Sequence, residues 1–207
     1  MINMKSNPFS NVEKATVTFI KKGGQGILIN NGLILTAAHC VDFDNNGKMT
    51  LGEYYIEEIQ TYQGILKVSP LSIEPISDIA IAGGLDNQEF YFESNQFEKF
   101  CKSTKPIKIC KNKLEPSKKF KIFIFTHEAK WISGYAFVAT DYSHKLIFET
   151  DHPIIWGTSG SAIVNEKAEI VGIVSNASIS DKSDAIGPRP NLTLPKWIYN
   201  QIYIRNQ

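Results

Sequence analysis

The stretch Gly157-Thr158-Ser159-Gly160-Ser161-Ala162 follows Thr150-Asp151 closely and precedes Gly172-Ile173-Val174-Ser175. A serine between two glycines, just ahead of an apolar strand, is the arrangement of a nucleophile displayed on a sharp turn. Glycine permits the tight turn and lets backbone N–H groups approach a substrate carbonyl. Gly-x-Ser-Gly also occurs in many ordinary loops. Its meaning therefore depends on whether a base and an orienting acid stand elsewhere in the chain.

Around this loop the sequence reads as short strands. Ala15–Ile20, Gly26–Ile29, Leu33–Thr36, Gly64–Val68, Ser77–Ala82, Lys119–Phe125, Trp131–Thr140, Lys145–Thr150, Ser161–Val164 and Glu169–Ser175 alternate or are rich in β-branched and aromatic residues. Asn30-Asn31-Gly32 is a hairpin signal, because Asn and Gly accept positive φ. Helix is expected only at the end, where Pro195 suits a first turn and Leu194, Trp197, Ile198 and Ile202 would share a face. The polar segment from about Gly83 to Pro116 shifts from acidic to basic and reads as a solvated boundary between two halves.

The bulk properties set limits. With 207 residues, 43% hydrophobic and 21% charged, the chain can bury the core of one large domain or two subdomains. A net charge of +1 gives no general attraction to nucleic acid or acidic membranes. No apolar run is long enough for a membrane span, and Met1–Pro8 lacks the apolar core of a secretory signal. The three cysteines, Cys40, Cys101 and Cys110, are odd in number and irregularly spaced. They read as reduced thiols in a cytoplasmic protein, with a Cys101–Cys110 bridge as the less favoured alternative.

A base and an acid are both available. Leu35-Thr36-Ala37-Ala38-His39-Cys40 carries the histidine, and Ser77-Asp78-Ile79-Ala80 the aspartate. The order His39, Asp78, Ser159 and these local contexts resemble the chymotrypsin/trypsin-like serine proteases. Thr150-Asp151, Gly157–Ser161 and Val164-Asn165 are similar to the HtrA-type and glutamyl-endopeptidase-like bacterial branch. The motifs run from Gly24 to Ile198.

The resemblance implies an all-β fold of two six-stranded antiparallel β-barrels with a C-terminal helix. One peptidase domain would span 1–207, with an N-terminal barrel at about 10–95, a linker at 96–117 and a second barrel with the closing helix at 118–207. It implies a serine endopeptidase working through an acyl-enzyme. His39 would be the base, Asp78 its orienting partner and Ser159 the nucleophile. The N–H groups of Gly157 and Ser159 would form the oxyanion hole, each donor worth about 3–4 kcal/mol. By motif position, Pro153, Ile154, Val174, Ser175, Asn176 and Ala177 would contact substrate, which favours a modest apolar residue before the scissile bond. Arg or Lys before the bond is disfavoured, because no acidic residue stands where trypsins place one. Glu is disfavoured because Val174 falls where glutamyl endopeptidases carry a histidine, with His152 nearby as the one feature on the other side.

Thr158 stands where digestive trypsins carry an aspartate, so their amino-terminal activation switch is not encoded. Gly24 falls where the usual disulfide partner of Cys40 would be. Trp156 is bulky beside the hole and would either wall the leaving-group side or block it. The alternative is a catalytically silent trypsin-like fold serving as a protein-binding module. No cofactor is expected. The expected partner is a peptide or protein substrate, together with an activating protein in one reading, and neither nucleic acid nor membrane. No peptide-binding module follows the closing helix, which disfavours an HtrA-like regulated oligomer.

A second motif competes for attention. Asp42-Phe43-Asp44-Asn45-Asn46-Gly47-Lys48-Met49-Thr50-Leu51-Gly52-Glu53 fits the EF-hand loop pattern, with oxygen ligands at Asp42, Asp44, Asn46 and Glu53. An exposed turn is favoured, because no entering helix or partner hand accompanies it and Asp-Asn-Asn-Gly is itself a good turn.

Overall fold

The computed structural model describes residues 8–41, 55–86, 88–116, 118–138, 144–177 and 184–204. Thr16–Phe19 (β1), Gln25–Ile29 (β2), Leu33–Thr36 (β3), Glu57–Thr61 (β4), Gly64–Glu74 (β5) and Ile79–Gly83 (β6) form a closed antiparallel barrel in the order β1-β2-β3-β6-β5-β4. Asn31 and Gly32 at φ 66° and 67° make the β2–β3 turn, as the Asn-Asn-Gly signal requires. β2 and β6 are buried along their whole length, with apolar runs covered on both faces.

The second sheet contains Phe120–Phe125 (β7), Trp131–Val138 (β8), Lys145–Thr150 (β9), Ala162–Val164 (β10), Ile170–Ile173 (β11), Asn176–Ala177 (β12) and Asp184–Pro188 (β13), ordered β11-β10-β7-β8-β9-β13-β12. β11 and β12 are successive parts of one run. Val174 donates to the Ser161 carbonyl on one side and Ser175 to that of Ile186 on the other. Seven segments thus make a six-stranded, nearly closed antiparallel barrel. Clean alternation along β8 sends Ile132, Gly134, Ala136 and Val138 inward, where they meet Ile122, Ile124, Leu146 and Phe148.

Helix is more abundant than the sequence pattern suggests. Pro8–Ala15 (α1) precedes β1, and Phe9 reaches the second barrel, packing edge-on against Phe123 and Trp131 at 5.0 and 5.1 Å. Trp131 donates its indole N–H to Glu13 at 2.7 Å, a second tie between the same elements. Tyr91–Ser103 (α2) lies inside the charged segment read as a solvated boundary. Phe97 and Phe100 at i, i+3 spacing are buried in the first barrel's core, so one face of this segment is structural.

After α2 the chain crosses between the barrels. Ile107 N–H donates to the Leu28 carbonyl of β2, Cys110 N–H donates to the Ile170 carbonyl of β11, and Ile170 N–H donates in turn to the Lys108 carbonyl. The chain then ends in Pro190–Thr193 (α3) and Lys196–Ile204 (α4). Leu194, Ile198 and Ile202 are buried, but Trp197 is 56% exposed. Ile198 and Ile202 are one helical turn apart, whereas Trp197 points about 100° away. All three cysteines are free, so the Cys101–Cys110 bridge is not formed. The EF-hand-like segment lies outside the described residues.

Phe100→Ala is expected to lower unfolding free energy by about 3–5 kcal/mol, the cost of emptying a fully buried aromatic site. Urea denaturation measures it, and a loss below about 1 kcal/mol would mean α2 is dispensable.

Candidate active site

His39 sits on a single 3-10 turn, Ala38–Cys40, directly after β3. Small residues allow this turn, since Ala37 and Ala38 are buried against the barrel wall. The imidazole Nδ1 lies 2.8 Å from Asp78 Oδ2 and 3.0 Å from Oδ1. The His39 backbone N–H also donates to Asp78 Oδ1 at 3.0 Å. One carboxylate therefore fixes both the ring and the main chain of the same residue.

Asp78 is placed by the turn between β5 and β6. The Glu74 carboxylate accepts the N–H groups of Ile76 and Ser77 at 3.1 and 2.6 Å, folding the chain back on itself. Asp78 follows at φ 55°, a left-handed conformation that aspartate tolerates better than most residues. Its Oδ2 accepts a third bond, from the Ser175 hydroxyl at 2.5 Å. Burial works to raise the Asp78 pKa, but the bonds from His39 and Ser175 outweigh it and hold the carboxyl below its ordinary value. The His39 pKa is pushed up, chiefly by the Asp78 bond and next by the Cys40 side chain, against the effect of burial.

The loop 155–161 is anchored from both barrels. Thr158 N–H donates to the Ile155 carbonyl at 3.2 Å, and Gly157 has φ 88°. An i→i+3 bond with positive φ at the third residue alone defines a type II turn. Among the described residues, the N–H groups of Gly157 and Ser159 donate to no backbone carbonyl. The Ser159 carbonyl accepts from Gln25 N–H at 2.7 Å, and the Ser161 hydroxyl bonds the buried Gln25 side chain at 2.5 Å. Gly160, at φ 83°, lies so close to the Gln25 carbonyl and Thr36 hydroxyl that no Cβ could fit.

His39 and Ser159 share a pocket completed by Lys22, Gly23, Gly24, Cys40, Trp156 and Gly157. No hydrogen bond joins Ser159 to His39 among the described residues, although both line the same pocket. Trp156 is 90% exposed and stands beside Gly23, at the rim of this pocket. Gly24 is adjacent to Cys40, whose thiol occupies the space a side chain at 24 would need.

The remaining sequence candidates are distributed around this centre. Val174 is buried in the second core, with Ile154 packed at its edge. Pro153 is exposed. Ser175 turns its hydroxyl to Asp78, while Asn176 and Ala177 form the short β12 beside β13. His152 faces Asp151 at 3.3 Å, and Asp151 in turn accepts from the backbone and hydroxyl of Ser133. The pairs Ser175–Asp78 and Ser161–Gln25 escaped sequence reasoning. Ser175 was visible in Gly-Ile-Val-Ser, but only the fold shows that its side chain faces the carboxylate. Among the described residues, no group of three or more His, Cys, Asp or Glu could hold a metal ion, and no helix is long and apolar enough to cross a membrane.

Residues 24–173 match the trypsin-like peptidase domain family. The chain belongs to that family. The trypsin-like fold is shared with solved serine proteases at low identity. The Rv3671c protein of M. tuberculosis, in an inactive form, is 13% identical with TM-score 0.60, covering 98% of this chain and 93% of that one. The serine endoprotease of Yersinia pestis is 15% identical with TM-score 0.60, covering 96% of this chain and 66% of that one. The active form of the Rv3671c protease has TM-score 0.56 at 14% identity, over 88% and 78% of the two chains. No curated protein sequence matches the chain. The architecture of this trypsin-like domain is thus chymotrypsin-like, with two barrels and a closing helix.

Gly24→Ala is expected to destabilise the domain by roughly 1–3 kcal/mol, because the methyl would displace the Cys40 side chain. Guanidinium unfolding of the variant against wild type reads this directly. An unchanged midpoint would mean the thiol moves aside freely.

Proposed function

We propose that this trypsin-like domain is a serine endopeptidase in which Ser159 is the nucleophile, His39 the general base and Asp78 the residue that orients it. The observation that carries this reading is the Ser175–Asp78–His39 chain of hydrogen bonds, which ends at the pocket that contains Ser159.

Asp78 accepts from Nδ1, leaving Nε2 as the lone-pair nitrogen that takes the Ser159 proton. As Oγ adds to the peptide carbonyl, the proton passes to His39 and the carbonyl oxygen becomes an anion. The unengaged N–H groups of Gly157 and Ser159 then receive that anion. Collapse of the tetrahedral species expels the amine, which takes the proton back from His39 and leaves an ester on Ser159. Water, activated by the same histidine, hydrolyses the ester. The type II turn at 155–158, with Gly157 at φ 88° and neither N–H bonded to a backbone carbonyl among the described residues, supports a hole formed by the loop itself. The β12 edge and the Ile154 region offer the acyl side of the substrate a backbone to pair with and a neutral, apolar neighbourhood. Three free thiols and a glycine opposite Cys40 support work in a reducing compartment such as the cytoplasm.

Labelling with a fluorophosphonate probe tests the reading. Wild type is expected to react at one site, Ser159→Ala not at all, and Asp78→Asn about 10⁴-fold more slowly in turnover. A folded wild type that stays unlabelled would favour the silent, protein-binding alternative.

The labelling rate is expected to rise with pH, because only neutral His39 accepts the serine proton. Asp78 stabilises the imidazolium, so the inflexion should lie above the ordinary 6.5 of histidine. It should move to lower pH in Asp78→Asn. A pH–rate profile flat from 5 to 9 would remove His39 as the base.

A further inference from the structure

We infer that His127 is a positioning residue that holds the oxyanion turn open, an inference that rests on the peptidase reading above. His127 lies on the five-residue connection between β7 and β8, far in sequence from all three proposed catalytic residues. It is exposed and takes part in no bond of the His39–Asp78–Ser175 chain. Its ring is nevertheless packed against Gly157. A Cβ built on Gly157 would lie 3.2 Å from His127 Cγ, 3.3 Å from its Cδ2 and 3.2 Å from the Gly23 carbonyl oxygen. One barrel thus supplies a carbonyl and the other a flat ring, and both close the same side of the residue that carries the proposed oxyanion donor.

The connection that presents this ring is built to be rigid. Thr126 N–H and hydroxyl both donate to the Lys130 carbonyl, at 2.9 and 3.1 Å. Ala129 N–H donates to the Thr126 carbonyl at 2.9 Å, and Ala129 sits at φ 57°. Lys130 and Glu128 pair at 2.9 Å on the outside. At its base, the Phe125 and Trp131 rings pack at 5.3 Å with their planes tilted by 46°, and Trp131 is anchored to α1. Gly23 is equally fixed, since Phe19 and the Gly23–Gly24 segment exchange backbone bonds at 2.7 and 2.9 Å.

The need for a wall follows from turn geometry. Types I and II share the same i→i+3 bond and differ by a rotation of the central peptide of roughly 180°. At 155–158 that peptide is Trp156–Gly157. Its rotation would turn the Gly157 N–H away from the reaction centre without breaking the Thr158–Ile155 bond. Glycine offers no steric resistance of its own. The His127 ring and the Gly23 carbonyl fill the space beside Gly157 and supply the resistance the residue lacks.

The test compares His127→Ala and His127→Phe with wild type. The probes are a fluorogenic peptide that wild type cleaves and the peptide aldehyde of the same sequence. Ser159 Oγ adds to the aldehyde carbon, the proton passes to His39, and the former carbonyl oxygen occupies the oxyanion position, so affinity reports the hole directly. His127→Ala is expected to lower kcat about tenfold, with KM unchanged, and to weaken the aldehyde by a similar factor. His127→Phe, which keeps a flat ring, should recover most of both. Melting temperatures of the two variants should stay near wild type, as the ring is on an exposed turn. An unchanged kcat and aldehyde affinity in His127→Ala would overturn the inference, as would a rise in KM alone. Failure of His127→Phe to rescue would equally overturn it, assigning the effect to the imidazole nitrogens. A wild type that fails to react with fluorophosphonate removes the peptidase reading itself, a result distinguishable from any of these.

Discussion

The main-chain bond from Gln25 N–H to the Ser159 carbonyl is the constraint on which the rest of the site depends. It joins β2 of the first barrel to the serine loop of the second, at Ser159, a residue that lines the pocket. The surrounding contacts allow no other registration. Gly160 is pressed against the Gln25 carbonyl, that carbonyl is also bonded by the Thr36 hydroxyl, and the Gln25 side chain is taken by Ser161. These groups are buried, so each would lose a full hydrogen bond if the barrels slid apart. His39 follows Thr36 by three residues on the same wall. Docking the serine loop on β2 therefore also sets the distance between His39 and Ser159, the base and nucleophile of the proposed reaction.

A second constraint is electrostatic. Asp78 is half-buried and held at a left-handed φ, two conditions that each cost free energy. Two bonds from His39 and one from Ser175 offset that cost only while the carboxylate is ionised. The arrangement thus makes the negative charge structural, and the raised His39 pKa is its counterpart on the imidazole. Ser175 comes from the second barrel while Asp78 and His39 come from the first. The network repeats, at a different point, the cross-barrel tie that Gln25 makes with Ser159.

These two constraints explain which parts of the molecule were legible in the sequence. Leu35–Cys40, Ser77–Ala80 and Gly157–Ser161 are short contiguous segments in which side-chain size, turn residues and chemistry are read together. The strands announced themselves through alternation, as in β7 and β8. α1 and α2 did not, for opposite reasons. α1 is short and half polar, and its main anchor is Phe9 on a barrel more than a hundred residues away. α2 does carry apolar residues at helical spacing, Phe97 and Phe100, but the surrounding charges resemble a solvated segment. The Ser175–Asp78, Ser161–Gln25 and His127–Gly157 contacts were beyond sequence reading altogether. Each joins ordinary residues whose meaning arises only when two distant turns meet.

The pairing of Gly24 with Cys40 shows how the domain keeps the site intact without a covalent clamp. A disulfide between these positions would tie the β2 entrance to the histidine turn. Here the Cys40 thiol fills that space as a small apolar group, and glycine is the residue that leaves room for it. The tie is replaced by many weaker ones: the backbone bond of Gln25, the buried Ser161 hydroxyl, and the carbonyl of Gly23 facing Gly157. Such a set is cooperative, because each member is well placed only when the others are. It also remains intact where a disulfide would be reduced. The geometry of the pocket in this domain is therefore a property of barrel docking, and any change that loosens the docking reaches Gly157, Ser159 and His39 together.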